Sequence, residues 1–102
     1  MYSLHMAELA EQDLDGIVNY MVGELANPIA ASAFLDRIED CYALLRTKPR
    51  IYAECEDSYL RSKGYRKTLI GNYLLIFRIE ERTKRVHILR FFYGAQDYAR
   101  QL

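Results

Sequence analysis

Residues 64–93 decide the fold and read GYRKTLI GN YLLIFRI EERTKR VHILRFFY. Three runs rich in apolar, β-branched and aromatic residues are separated here by short polar segments, a pattern typical of consecutive strands. Gly71-Asn72 is a two-residue connection that can supply the positive φ angles of a tight hairpin. Residues 80–85 are all charged or polar, so we interpret them as a solvated loop. The second half of the chain is therefore predicted to be a three-stranded antiparallel meander.

The beginning of the chain predicts a short strand and a first helix. We expect the strand at Tyr2–Met6. The apolar residues that follow recur at the spacing of one helical face, and acidic residues occupy the first turns, where they complement the positive end of a helix dipole. These apolar residues are Ala10, Leu14, Ile17, Val18 and Met21.

A second helix is predicted from Asn27 to Lys48. Asn27 suits the N-cap position and Pro28 the first helical position, where the missing N–H of proline costs nothing. Pro49 then stops the helix. The short loop 23–26 makes the two helices an antiparallel hairpin. The apolar face of the second helix consists of Ala31, Phe34, Leu35, Ile38, Tyr42 and Leu45.

The helix hairpin has to bury its apolar faces, and the meander is the available partner. We expect alternate residues from Tyr73 to Ile79 to face the helices, while Leu74, Ile76 and Arg78 lie on the other side with Arg66 or Thr68 of the neighbouring strand. Residues 50–63 are expected to form an exposed loop, and the chain to end in a short tail or helix. The predicted fold class is α+β in the order β-α-α-β-β-β, as one domain spanning residues 1–102.

Composition narrows the class of protein. Half of the residues are apolar (51%) and 27% are charged, which is ordinary for a globular protein and unlike a disordered one. The first fifteen residues contain acids but no Lys or Arg, and no apolar run is long enough for a membrane span, so we expect a cytoplasmic protein without a membrane partner. Cys41 and Cys55 are interpreted as reduced thiols. The two histidines lie far apart in sequence, so no metal site and no cofactor are expected.

The formal net charge of zero conceals two unlike halves. Residues 1–45 hold eight acids and one base, a charge of −7, and residues 46–102 hold thirteen bases and six acids, a charge of +7. Clustered Lys and Arg attract polyanions or acidic partners. The alternative is that the two halves partly neutralise each other in the fold.

Motifs along nearly the whole chain resemble the RelE/ParE superfamily of toxins from type II toxin–antitoxin systems. The resemblance implies the β-α-α-β-β-β fold and a small growth-inhibiting toxin that a cognate antitoxin neutralises; operator DNA would be contacted only indirectly, through the antitoxin. The motifs are Ala10-x-x-x-Leu14-x-x-Ile17-x-x-Tyr20, Asn27-Pro28-x-Ala30-Ala31, Leu44-Leu45 before Pro49, Gly64-Tyr65-Arg66-Lys67, Gly71-Asn72-Tyr73 and Ile88-Leu89-Arg90-Phe91-Phe92-Tyr93-Gly94-x-Gln96-Asp97-Tyr98.

The resemblance leaves two targets open, since members of the superfamily either cut mRNA on the ribosome or poison DNA gyrase. In ribonuclease members, arginines commonly occur near positions 73–74 and in the segment 94–97. This chain has Leu74, Ala95 and Gln96 there. We therefore favour gyrase inhibition by binding, with ribosome-dependent mRNA cleavage as the alternative and a non-toxic antitoxin-binding module as a third hypothesis.

RNA cleavage would require cations for the phosphate and groups that transfer protons. The candidates for such chemistry are Arg66, Arg78, His87, Arg90, Tyr93 and Tyr98. Each has an ordinary alternative role as a packed, salt-bridged or exposed strand residue. The surface that contacts the target or the antitoxin is predicted to contain Arg66, Lys67, Arg78, Arg90, Gln96 and Tyr98.

Overall fold

A computed structural model describes residues 1–94 and 96–102. The predicted order of one strand, two long helices, three strands and a short terminal helix is confirmed. The elements are β1 (Ser3–Met6), α1 (Glu8–Asn19), a π-helical turn (Tyr20–Glu24), α2 (Pro28–Thr47), a 3₁₀ turn (Pro49–Ile51), α3 (Ser58–Ser62), β2 (Tyr65–Ile70), β3 (Tyr73–Glu80), β4 (Arg85–Tyr93) and a C-terminal 3₁₀ helix (Tyr98–Gln101).

The sheet has the strand order β1-β4-β3-β2, in which β2, β3 and β4 form the predicted antiparallel meander. The β1 strand joins it in parallel with β4. At the β2–β3 hairpin Gly71 has φ +62°, while Asn72 keeps a negative φ. Only the first central residue therefore needs the left-handed region, as in a type II′ turn, and the prediction of positive φ at both residues was wrong for Asn72.

The two long helices begin and end close to where the sequence predicts. The Asn27 side chain accepts a hydrogen bond from the Ala30 N–H at 3.0 Å and caps α2, with Pro28 in its first turn. At the end of α1 the helix does not unwind into a loop at Gly23. It widens into a π turn in which the Leu25 N–H donates to the Tyr20 carbonyl.

The helix-facing side of the sheet holds the larger core. Leu75 and Phe77 of β3 are fully buried there against the apolar faces of α1 and α2, with Tyr73 and Ile79 partly buried at the ends of the strand. The predicted orientation of β3 is therefore confirmed. The helical residues that complete this core are Ala10, Met21, Ala31, Phe34, Ile38, Cys41, Tyr42 and Leu45.

The opposite side of the sheet, which we call the outer face, carries a second apolar cluster. Leu74 and Ile76 are buried there by two short covers: the segment that holds Cys55 and Leu60, and the C-terminal segment that holds Tyr98 and Leu102. The prediction of residues 50–63 as an exposed loop was wrong. Asp57 caps α3 by accepting from the Leu60 N–H, and a bridge between Glu54 and Arg66 attaches the segment to β2. The segment is ordered because the buried side chains of Cys55 and Leu60 cover the outer face of the sheet.

Strand register decides which charged residues share the outer face. Arg78 lies opposite Tyr65, and Lys67 opposite Ile76. Directly opposite residues of an antiparallel pair point to the same side, so Arg66 and Thr68 lie on the helix-facing side, and their expected grouping with Arg78 was wrong. The register shifts by one residue at Ile76–Phe77, a bulge that places Arg90 opposite Ile76.

Other features of the described residues bear on the kinds of site that the chain can hold. Cys41 and Cys55 are free and buried, and burial raises the pKa of both thiols. Within residues 1–94 and 96–102, no three His, Cys, Asp or Glu side chains are grouped so that they could hold a metal ion. None of the helices in that part of the chain combines the length and the apolar character needed to cross a bilayer.

Candidate functional site

The predicted site residues fall on three separate parts of the molecule. Lys67, Arg78, His87 and Tyr98 lie on the outer face. Arg66 lies on the helix-facing side near the edge of the sheet. The remaining three, Arg90, Tyr93 and Gln96, line a cleft between α1 and the end of β4.

Arg66 is bound to the segment that precedes α3. Its Nη1 donates to the Tyr52 carbonyl at 2.7 Å, and its Nη2 lies 3.9 Å from a carboxylate oxygen of Glu54. The guanidinium thus anchors that segment to β2, since a buried carbonyl needs a donor. The Arg66 side chain lies on the opposite side of the sheet from Lys67 and Arg78.

A cationic and aromatic cluster occupies the outer face beside the second apolar cluster; we call it the outer-face cluster. Lys67 Nζ donates to the Tyr98 hydroxyl at 3.3 Å. Burial acts to lower the pKa of Lys67, but this hydrogen bond and the nearby Tyr98, Glu56 and Cys55 together raise it. Lys63 lies over the rings of Tyr59 and Tyr65, at 5.1 and 5.7 Å. The members of the cluster are Tyr59, Lys63, Tyr65, Lys67, Arg78, His87 and Tyr98.

Glu80 occupies the end of this surface and engages both Arg78 and His87. One carboxylate oxygen lies 3.2 Å from His87 Nε2 and 3.9 Å from Arg78 Nη1. A hydrogen bond from Thr83, followed by that from His87, lowers the pKa of the Glu80 carboxyl. Glu80 is therefore ionised near neutral pH and suits an ion-pair partner better than a general acid. The His87 ring also lies 5.6 Å from that of His5, its register partner in β1.

Arg90 is held by Asp13 of α1. Its Nε and Nη2 donate to the two carboxylate oxygens at 2.7 and 3.1 Å, and the Phe91 N–H donates to the same carboxylate at 3.0 Å. Both side chains are only about one-fifth exposed. The pair with Asp13 raises the pKa of Arg90, so the guanidinium remains charged, but two of its donors are already occupied.

This contact has a structural origin in the length of β1. The β1 strand pairs with β4 only as far as Met6 and Ile88, and within the described residues no strand continues along that edge. The carboxylate of Asp13 takes over as acceptor for the Phe91 N–H. In the described part of the chain, Asp13–Arg90 is also the one ion pair that joins the acidic first 45 residues to the basic remainder.

Above this ion pair is a cleft of about 420 Å³ that we call the tyrosine cleft. Tyr20 and Tyr93 form its walls and are about half exposed, at 48% and 54%. Tyr73 also lines the cleft, with its ring 5.8 Å from that of Tyr93. Burial, together with the two neighbouring phenols, raises the pKa of Tyr73, so its phenol is neutral at physiological pH. Gln96 accepts from the Tyr93 N–H at 3.2 Å and closes one end.

Sequence reasoning missed three residues that shape these surfaces. Asp13 was seen only as one of several helical acids, because nothing in the sequence indicates its contact with Arg90. Tyr20 was noted only as part of the family motif and Tyr73 as a helix-facing strand residue, and only the tertiary packing brings both into one cleft. Leu74 is buried in the outer cluster and Gln96 lies in the tyrosine cleft, while Ala95 lies outside the described residues.

The fold and these sites define a small α+β protein of the RelE/ParE toxin class. A family model described as "ParE toxin of type II toxin–antitoxin system, parDE" matches residues 4–98, and the chain therefore belongs to that family. No curated protein gives a sequence match.

Two solved structures are similar to the chain. One is the chromosomal ParDE toxin–antitoxin system from P. aeruginosa, with 25% identity, a TM-score of 0.69, and coverage of 91% of this chain and 96% of the other. The second is the toxin–antitoxin complex RelBE2 from Mycobacterium tuberculosis, with 19% identity, a TM-score of 0.51, and coverage of 90% and 96%. At this identity the second likeness concerns the fold alone.

Proposed function

We propose that this protein is a growth-inhibiting toxin that acts in the cytoplasm by binding DNA gyrase, and that a cognate antitoxin neutralises it. The family match over residues 4–98 and the similarity to a ParDE system support the toxin class and the gyrase branch. The structural observation that carries the proposal is that the candidate catalytic groups are divided among three places and are engaged within the protein. Arg66 is held by the Tyr52 carbonyl and Arg90 by Asp13. On the outer face, Glu80 contacts the candidates Arg78 and His87, and the Tyr98 hydroxyl accepts from Lys67. A ribonuclease instead needs free cations and proton-transfer groups around one phosphate.

The protonation states of the two sites agree with binding rather than catalysis. The lowered pKa of Glu80 keeps this carboxylate ionised, so it has no proton to donate near neutral pH, and the raised pKa of Tyr73 keeps its phenol protonated, so it is not available as a base. The positive charge of the Arg90 guanidinium is balanced by the carboxylate of Asp13. These features favour a surface that recognises another protein.

We further propose that the antitoxin contacts the outer-face cluster. Lys63 and Lys67 present positive charge beside aromatic rings and the apolar residues of the outer cluster. A segment with alternating acidic and apolar side chains would complement this surface in both charge and polarity. Neutralisation would then depend on salt concentration more strongly than toxicity does.

The direct test is supercoiling by purified gyrase in the presence of the purified toxin, with and without the antitoxin encoded beside it. The proposal predicts loss of supercoiling that the antitoxin reverses, and intact mRNA in translating ribosomes. Cleavage of ribosome-bound mRNA with normal supercoiling would instead favour the ribonuclease alternative. Normal growth after expression without antitoxin would favour the non-toxic binding module.

A further inference from the structure

We infer that the tyrosine cleft, rather than the cationic outer face, is where the toxin holds its protein target. The occupant is a target segment that inserts an aromatic or aliphatic side chain and carries Lys or Arg beside it. This inference rests on the proposed function and identifies the surface and the chemistry through which that function would operate.

The walls of the cleft suit an apolar anchor. Tyr20 and Tyr93 both line the cleft and each presents about half of its surface to solvent, and the cleft is large enough for one or two side chains. Ile17 adds an aliphatic surface from α1. Tyrosines in such positions supply large contact areas with little loss of conformational entropy, and they are enriched among residues that dominate binding energy.

The tyrosine cleft has a neutral floor and a negatively charged rim, which disfavours a polyanion as its occupant. Arg90 is the cation of the lining, and its charge is balanced by Asp13 at 2.7 Å. Glu8 and Asp15 lie one helical turn on either side of the lining residue Gln12, and both are exposed. A phosphate or an acidic peptide would meet a neutral floor and a negative rim, whereas Lys or Arg beside an apolar anchor would be attracted.

The difference in charge between the tyrosine cleft and the outer-face cluster also predicts that target and antitoxin bind at different surfaces. Acidic antitoxin side chains are complementary to Lys63 and Lys67 on the outer face and are repelled by the rim of the tyrosine cleft. The two partners are therefore expected to depend on different residues, even if one sterically hinders the other. A substitution in the cleft should reduce toxicity while leaving antitoxin affinity nearly unchanged.

The test uses Tyr20→Ser and Tyr93→Ser in the full chain, with Ile51→Ser as the control, because Ile51 is 58% exposed and lies outside both the cleft and the outer-face cluster. Each variant is measured for growth arrest on expression, for the concentration that halves gyrase supercoiling, and for affinity to the purified antitoxin. We expect each cleft variant to require at least about 30-fold more protein for half-inhibition, a loss typical of a truncated anchor residue. Tyr93→Phe keeps the ring and should retain most activity.

The outcomes separate this inference from the proposed function. If wild type arrests growth and both cleft variants arrest it equally well, the cleft is not the target site, whatever the target. If the cleft variants lose growth arrest but wild type does not inhibit gyrase, the inference stands and the gyrase proposal fails. Three results would overturn the inference: equal losses of toxicity and antitoxin affinity in both cleft variants, an effect of Ile51→Ser equal to theirs, or a wild type that does not arrest growth. The folded concentration of each variant is determined from its thermal unfolding curve, independently of antitoxin binding, and activities are compared at equal folded concentrations.

Discussion

The two faces of the central sheet are buried to similar extents by very different means. Leu75 faces the helices and Leu74 the outer face, and their exposures are 0% and 6%. The first is covered by α1 and α2, which have 12 and 20 residues, whereas the second is covered by the five-residue α3 and the four-residue C-terminal helix. Long elements rich in internal hydrogen bonds fix the helix-facing core. The short covers leave charged and aromatic side chains accessible around the outer cluster.

Leu74 and Leu75 are adjacent in β3 and lie on different faces, so the same Leu→Ala substitution compares how much each face contributes to the free energy of unfolding. Leu75→Ala is expected to lower the free energy of unfolding by about 4 kcal/mol, and Leu74→Ala by about 2–3 kcal/mol, because the short outer covers can collapse into the cavity more readily. Urea denaturation monitored by tyrosine fluorescence gives both values. An equal or larger loss for Leu74→Ala would show that the outer cover is as rigid as the helix layer.

The Asp13–Arg90 ion pair connects the helix layer to the exposed end of β4, so its removal should loosen the tyrosine cleft. Asp13→Ala is expected to cost about 2 kcal/mol, since it leaves a partly buried guanidinium and the Phe91 N–H without their acceptor. Asp13→Asn keeps an oxygen acceptor and should cost less. Thermal unfolding compares both with Glu11→Ala, an exposed acid of the same helix, for which we expect almost no change; equal effects of all three would contradict the connecting role of Asp13.

The two cysteines report separately on the two faces. Cys41 lies in the helix-facing core and Cys55 in the outer cluster. Opening of the short covers should be easier, so we expect Cys55 to react with a thiol reagent about 10-fold faster than Cys41, corresponding to about 1.4 kcal/mol in opening free energy. Tyr98→Ala should accelerate Cys55 further and leave Cys41 unaffected. Single Cys→Ser variants assign the two labelling rates. Faster labelling of Cys41 would show that the helix layer opens more easily than the outer covers.

The smallest expected effect concerns Glu81 in the β3–β4 turn, which attaches the turn to the start of the chain and to the Pro49 region. Hydrogen bonds from Lys84, Tyr2 and Arg50 lower the pKa of its carboxyl from 4.5 to about 2. The unfolded chain therefore binds more protons between these pH values, so this contribution is present above pH 4.5 and is lost as the pH falls towards 2.

Glu81→Gln should accordingly flatten the dependence of the melting temperature on pH between 4.5 and 2, with little change at pH 7 beyond the loss of the exposed contacts. Glu11→Gln serves as the control. If the melting temperatures of wild type and Glu81→Gln fall equally steeply between pH 4.5 and 2, the hydrogen bonds of Glu81 do not persist in solution.

Most of the fold was predictable because it depends on local periodicity. The Asn27-Pro28 start, the Pro49 stop and the Gly71-Asn72 turn each encode a boundary through backbone chemistry, and the alternation in Tyr73–Ile79 assigns the helix-facing side. The segment 50–63 was misread because its two buried residues, Cys55 and Leu60, are five positions apart, a spacing that follows neither strand nor helix periodicity. Their burial depends on a sheet face supplied by residues far away in sequence.

The candidate site was less predictable for the same reason. The sequence identified Arg90, Tyr93 and Gln96 as notable, but the pairing of Asp13 with Arg90 spans 77 positions and depends on where β1 ends. The parity of β2 also decided whether Arg66 or Lys67 joined Arg78. A shift of one residue reverses the side of every residue in a strand, and polar strands with weak alternation do not specify that choice.

The sequence by itself determined the order of elements, the helix-facing core and the family resemblance, since these arise from spacings of two to four residues and from turn and cap chemistry. Tertiary structure alone decided that the outer face is covered, that the charge of Arg90 is balanced by Asp13, and that three tyrosines form a cleft. These properties depend on contacts between distant segments, where the position of one strand end or one bulge determines which side chains meet.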